Sequence, residues 1–157
     1  MSLLHPTDAT WMRLALKEAD KAYQAGEVPV GAIIVHQGKV IGRAHNQVEL
    51  LKDATAHAEI LAITQASAAL HDWRLSEAVL YVTKEPCAMC AGALINARLG
   101  RLVFGVRDPR SGAAGSALDI TGFPGMLWQV PVTADLMGEE CRELLQRFFR
   151  ERRAGLK

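Results

Sequence analysis

The sequence predicts a mixed α/β domain, a central sheet covered by helices on both faces. Three observations lead there. A chain of 157 residues is most simply one domain, long enough to bury a core. Half of its residues are hydrophobic and 22% are charged, the balance of an ordinary soluble globular protein. Segments of helical period alternate with short β-branched runs, and no repeat, low-complexity block or linker interrupts them.

Residues 8–25 read as an amphipathic helix. Trp11, Met12, Ala15, Leu16, Ala19, Ala22 and Tyr23 share one face, and Arg13, Lys17, Asp20, Lys21 and Gln24 face water. Thr7 or Asp8 caps its start and Gly26 stops it. Val30–Val35 and Val40–Ala44 are strands, with Gln37-Gly38 as the hairpin signal between them. After a polar loop, His45–Asp53, a helix begins near Ala56 and turns Ile60, Leu61, Ile63 and Leu70 inward. Ala78–Thr83 is a strand. The next helix runs from Cys87 to about Arg98, with Pro86 suited to its first turn and Gly100 beyond its end. Arg101–Val106 is a strand, Asp108–Ser116 a surface loop rich in glycine and proline, and about Ala134 to Arg153 the last helix.

Met1–Pro6 has no basic region followed by an apolar run, so no signal peptide is expected. No apolar stretch approaches the roughly 20 residues of a membrane span. Three cysteines, two of them in a Cys-x-x-Cys pair, point to metal or redox chemistry in a reducing compartment, so the cytoplasm is the expected location. Net charge is only +1. Between Arg142 and Lys157, however, six basic residues face two acidic ones. That tail reads either as a solvated helix end favoured by the helix dipole or as a phosphate-contacting surface.

Two motifs carry the chemistry: His57-Ala-Glu59 and Pro86-Cys-Ala-Met-Cys90. Cys87 and Cys90, three residues apart at a helix start, share one face, and the positive end of the dipole favours their thiolates. Alone, the pair also fits a thioredoxin-like redox site. Residues two apart do not face each other along a helix. At a first turn, though, His57 and Glu59 can both reach a point beyond the helix end. His57, Cys87 and Cys90 thus make three bonds to zinc and leave the fourth position for water, as in a catalytic site. This is the zinc-deaminase signature. Two thiolates neutralise the metal, so its water is less acidified than on a three-histidine zinc, and a separate base is needed. Glu59 fits: it takes the water proton, hydroxide attacks an amidine-type ring carbon, and the acid protonates ring nitrogen and leaving amine. Amides at the helix starts could steady the charge. Such an acid needs an apolar pocket, and Val28, Pro29 and Val30 are either its wall or ordinary core.

With these motifs the chain resembles the bacterial tRNA-specific adenosine deaminases of the cytidine-deaminase-like superfamily, from about Trp11 to Arg153. The matching stretches are Glu27-Val-Pro-Val-Gly-Ala32, Asn46, Thr55-Ala-His-Ala-Glu-Ile60, Leu80-Tyr-Val-Thr83, Glu85-Pro-Cys-Ala-Met-Cys-Ala-Gly92, Val103-Phe-Gly105 and Arg107-Asp108. Gly112-Ala-Ala-Gly-Ser116, with Arg107-Asp108, resembles the tRNA enzymes in particular. The resemblance implies a three-layer α/β/α fold around a mixed sheet of about five strands, with residues 1–157 as one zinc deaminase domain. It implies conversion of the wobble adenosine (position 34) of a tRNA anticodon loop to inosine, by a homodimer with one zinc per subunit. His57, Cys87 and Cys90 would then hold zinc and Glu59 shuttle protons. Asn46 would bond the flipped nucleotide, with Val28, Pro29 and Val30 near the base. Asp108 would approach the anticodon backbone or accept from a ribose 2′-hydroxyl; its other reading is a turn aspartate before Pro109. Phe148 and Phe149, with the arginines around them such as Arg152, would suit base stacking and phosphate contact, one of Phe148 and Phe149 being core. Glu85 either supports the zinc loop or bonds to backbone amides. The chain departs from the family at Ala54, where proline is frequent, and at Lys84, where an apolar residue is usual. Cys141 reads as core, since a fourth ligand would close the site.

Two other functions fit parts of the pattern. A deaminase of a free base, nucleoside or nucleotide (guanine or cytidine type) shares the zinc site and needs no RNA surface. A structural zinc module has the ligands but no use for Glu59.

Overall fold

In the computed structural model, residues 7–155 are described; the expectations for Met1–Pro6 and Lys157 fall outside them. The elements are α1 (Asp8–Gln24), β1 (Gly31–His36), β2 (Lys39–His45), α2 (Val48–Leu51), α3 (Ala58–Leu70), β3 (Ala78–Lys84), α4 (Ala88–Asn96), β4 (Arg101–Val106), β5 (Val132–Thr133) and α5 (Gly138–Arg153). The sheet has five strands in the order β2-β1-β3-β4-β5. β1 runs antiparallel to β2 and β3, and β3, β4 and β5 are parallel to one another, so the sheet is mixed.

Alternation along the central strands builds the three layers. Ala32 and Ile34, Leu80 and Val82, and Leu102 and Phe104 face one way and pack with Ala58, Ala62 and Ala66 of α3 and Leu94 and Ile95 of α4. Ile33, Val35, Tyr81 and Val103 face the other way, onto Met12 and Ala15 of α1. On that side Cys141 and Leu145 of α5 close over Val106. Burying both faces explains why these strands read as continuous apolar runs.

Caps and turns follow the local signals. Thr7, not Asp8, caps α1 by accepting from the Thr10 amide. Gln37 and Gly38 both have positive φ, 52° and 75°, as a two-residue hairpin turn requires.

Four expectations change. The loop His45–Asp53 contains the single-turn helix α2. β5 is additional, a two-residue exposed edge strand. The last helix starts at Gly138 and not at Ala134, because Asp135 and Met137 adopt left-handed φ of 68° and 55°. In α3 the fully buried positions are Ala58, Glu59, Ala62 and Ala66, while Ile60, Leu61, Ile63 and Leu70 are half-buried. The cause is close approach: a Cβ on Gly42 of β2 would lie 2.6 Å from the Ala62 carbonyl, so only small side chains fit beneath the helix.

Asp8 ties the start of α1 to the sheet. It receives both terminal nitrogens of Arg101, at 3.1 and 2.7 Å, and the Tyr81 hydroxyl at 2.7 Å. The Arg101 guanidinium holds the Asp8 carboxyl below its ordinary value, against the opposing effect of burial. A lowered carboxyl stabilises the fold above the unfolded-state pKa of about 3.9 and loses that contribution as pH falls through its folded value. Asp8→Asn is therefore expected to lower Tm at pH 7, with the gap to wild type closing below about pH 3.9 in pH-dependent melting curves.

Candidate active site

Two helices begin at one place. His57 is the N-cap of α3 and Cys87 the N-cap of α4, both extended, with φ/ψ of −73°/152° and −75°/178°. Pro86 therefore sits just before the cap, outside the first turn where the sequence placed it. His57 Nδ1 lies 3.6 Å from Cys87 Sγ and 3.5 Å from Cys90 Sγ. Zinc bonds of about 2.1 Å to nitrogen and 2.3 Å to sulfur, opened at a tetrahedral angle, require a separation of roughly 3.6 Å. The three residues form a metal-binding cluster, and its spacing fits zinc. Cys141 is buried in the α5 core, where burial pushes its thiol up to about 12.

The charges suit a cation. Hydrogen bonds from Cys90 and His57 lower the Cys87 thiol to about 3. Cys90 is pushed up because it donates to Cys87 and is buried. The bond to Cys87 raises His57 as well. A divalent ion bound there would displace protons from these groups. Glu59, the second residue of α3, is buried and is not a ligand. Burial raises its carboxyl above the usual range.

A cavity of about 480 Å³ opens beside the cluster, within the size of small-molecule sites. His57, Glu59 and Cys87 line it together with Val28, Val30, Asn46 and Asp108. Pro29 is buried and does not line it. Asn46 donates to the Val28 carbonyl at 3.2 Å and accepts from the Val48 amide at 3.3 Å. That leaves it one N–H and one lone pair. Phe148 and Phe149 both reach the cavity, Phe148 buried at 6% exposure and Phe149 exposed at 42%. Arg152 lines the mouth, donates to the Gly26 carbonyl and lies 4.8 Å over the Phe148 ring.

Two buried glutamates shape the rim. Glu85 accepts from the amides of Asp108 at 3.0 Å, Ala114 at 2.9 Å and Ser116 at 3.1 Å, and from the Ser116 hydroxyl. It bonds to the backbone of the 108–116 loop, and Gly112 leaves it room, since a Cβ there would sit 2.4 Å from Glu85 Cδ. Glu27 accepts from the amides of Glu49 at 3.0 Å and Leu50 at 2.8 Å, capping α2 from across the chain. The sequence had not singled out Glu27 as a site residue, and it left open which of Phe148 and Phe149 meets a substrate. No local signal marks Glu27, because its partners lie more than twenty residues away.

Asp108 is a turn residue. It accepts from the amides of Arg110 and Ser111 and from the Ser111 hydroxyl, and its carboxylate is 3.1 Å from Lys84. Burial raises its carboxyl, but these bonds and the Lys84 charge outweigh burial and hold it well below the usual range.

The chain matches the MafB19-like deaminase family over residues 7–153. It is 45% identical over 146 residues to the tRNA-specific adenosine deaminase of Bacillus subtilis, spanning 93% of this chain and 91% of that protein. The chain belongs to the tRNA-specific adenosine deaminase family. The deaminase is also 44% identical to the tRNA-specific adenosine deaminase of Aquifex aeolicus, over 93% of this chain and 96% of that one. A structure solved in a study of A-to-I editing by tRNA:A34 deaminases superposes with a TM-score of 0.83 at 44% identity, covering 86% of this chain and 98% of that one. The guanine deaminase of Nitrosomonas europaea shares the fold with a TM-score of 0.79 at 25% identity, over 94% and 86% of the two chains.

Cys90 supplies a buried donor at the third position of α4. Cys90→Ala leaves two donors, and we expect purified protein to lose its stoichiometric zinc, measured by atomic absorption, while remaining folded by circular dichroism.

Proposed function

We propose that this chain is a zinc-dependent hydrolase that converts the wobble adenosine of a tRNA anticodon loop to inosine, with residues 1–157 acting as one deaminase domain. One observation carries the chemistry: three donors spaced for a tetrahedral ion, with an acid buried beside them that is not a donor. The family supplies the substrate class, since relatives more than 40% identical along nearly the whole chain are tRNA adenosine deaminases.

His57, Cys87 and Cys90 would hold the zinc, which would supply an acidified water as the nucleophile. Glu59 accepts a proton from that water. Its dry surroundings favour the neutral acid, so it would hold that proton and pass it to the ring nitrogen, then take the second proton from the added hydroxyl and pass it to the amine, which leaves as ammonia. Val28, Val30 and Phe148 exclude bulk water from this exchange. Asn46 offers its remaining N–H and lone pair to the base, a pairing that selects a polar edge by leaving the site unsatisfied when the edge is absent. Phe149, turned to solvent at the mouth, stacks on a flanking base, and Arg152 meets phosphate. Asp108 meets the ribose or backbone of the loop.

The same reading makes the protein a cytoplasmic homodimer with one zinc per subunit. α4 turns Ala88 and Met89 outward, with Gly92 and Ala93 half-exposed beside them, a small-residue surface on which a second copy can pack closely. Among the described residues no helix is long and apolar enough to cross a membrane. The three cysteines are free, which suits a reducing compartment.

Light scattering of the purified protein should give twice the 17.1 kDa chain mass. An anticodon stem-loop should be converted to its inosine form while free adenosine, cytidine and guanine are left unchanged. Turnover of the monomers alone would overturn the RNA reading. Glu59→Ala should retain zinc but lose at least about 10³-fold in rate, the scale of general acid–base catalysis; loss of zinc along with activity would make Glu59 structural.

A further inference from the structure

Asp108 has no lone pair to spare. Its Oδ1 accepts from the amides of Arg110 at 3.0 Å and Ser111 at 3.2 Å. Its Oδ2 meets the Ser111 hydroxyl at 2.6 Å and the Lys84 ammonium at 3.1 Å. A carboxylate offers about four lone-pair directions, so any new donor must displace a partner. Three of the four belong to the turn that Asp108 itself starts, in a loop anchored by Glu85. The fourth, Lys84, reaches across from the end of β3 on a flexible stem, its side chain still 33% exposed.

The surroundings say where Lys84 can go. The charged side chains lining the cavity include Glu27, Glu49, Glu59, Glu85 and Asp108, against Lys84 and Arg152 as the cations. Arg152, to which the proposed function gives a phosphate of its own, is held by the Gly26 carbonyl and the Phe148 ring. A phosphate entering this acidic mouth therefore finds Lys84 as the cation nearest the metal ligands, at the third position before Cys87. An ammonium is a compact charge with rotatable donors, and it changes partner without the fixed geometry a guanidinium needs.

We propose that Lys84 is a substrate-binding residue that changes partner: its ammonium leaves Asp108 for a phosphate oxygen of the anticodon loop, and the lone pair it vacates passes to a ribose hydroxyl. The exchange rests on the RNA-deaminating function proposed above. It replaces one charge-assisted hydrogen bond by two, and it keeps Asp108 from presenting an uncompensated negative charge to the incoming RNA.

The test compares wild type, Lys84→Met, Lys84→Arg and Ser111→Ala as zinc-loaded proteins on an anticodon stem-loop over a series of salt concentrations. Lys84→Met should raise KM about tenfold, the scale of one charge-assisted bond, with kcat within about twofold and zinc content unchanged. Its plot of log(kcat/KM) against log[salt] should be shallower than wild type by about 0.7, one phosphate contact to a single strand. Lys84→Arg should restore the slope, and Ser111→Ala, which loosens the Asp108 turn without removing charge, should leave it at the wild-type value. Wild-type slope and KM in Lys84→Met, or an equal change of slope in Ser111→Ala, would overturn the inference about Lys84 while leaving the activity standing. A zinc-loaded wild type inert on the stem-loop would overturn the activity itself.

Discussion

Two helix N-termini meeting at one point is the constraint on which the rest of this structure depends. Each presents backbone N–H groups without intrahelical partners and the positive end of a dipole. Placed together, they make a spot where thiolates and carboxylates are less costly than elsewhere in an apolar core. His57 and Cys87 occupy the two cap positions, with Glu59 and Cys90 one turn or less inside. Bringing those starts together requires β3 and the chain before α3 to end on the same side of the sheet, which the pairing of β1 with both β2 and β3 provides.

The cavity rim needs a different device, because Leu50 and Leu51 of α2 are exposed and the 108–116 loop has only small apolar side chains to pack. Glu27 and Glu85 serve them instead, each almost fully buried and each bonded to backbone amides of a distant loop. A buried carboxylate is tolerated when several N–H groups face it, and it then specifies loop position more sharply than apolar contact does. Both glutamates are consumed by that work. Neither is free to act on a substrate although both line the cavity.

This division leaves an acidic cavity in a protein whose proposed partner is a polyanion. The mismatch is smaller than the count of carboxylates suggests. Glu27 and Glu85 are offset by amide dipoles, Glu59 is driven toward its neutral form by burial, and Asp108 is paired with Lys84. The basic residues of α5 add long-range attraction, while Arg152 and Arg147 also tie that helix to the end of α1 at Gly26 and Tyr23.

The donor set and the buried acid beside it were legible in the sequence, because they rest on spacings of two and three residues at helix starts, which local geometry dictates. The central strands were legible for the same reason, since their apolar runs follow from burial on both faces. The rest was decided by tertiary structure. Which of Phe148 and Phe149 reaches solvent depends on the roll of α5 against Tyr23, whose ring meets Phe148 edge-on at 5.9 Å. Pro29 falls behind the cavity wall while its neighbours Val28 and Val30 line it. α2 exists because a carboxylate 22 residues earlier in the chain caps it, and Glu85 bonds to amides as far as 31 residues away. Lys84 reads locally as a misplaced charge at a strand end, and only the fold sets Asp108 beside it. Local spacing determines what a site can hold; contacts between distant segments determine which side chains remain free to use it.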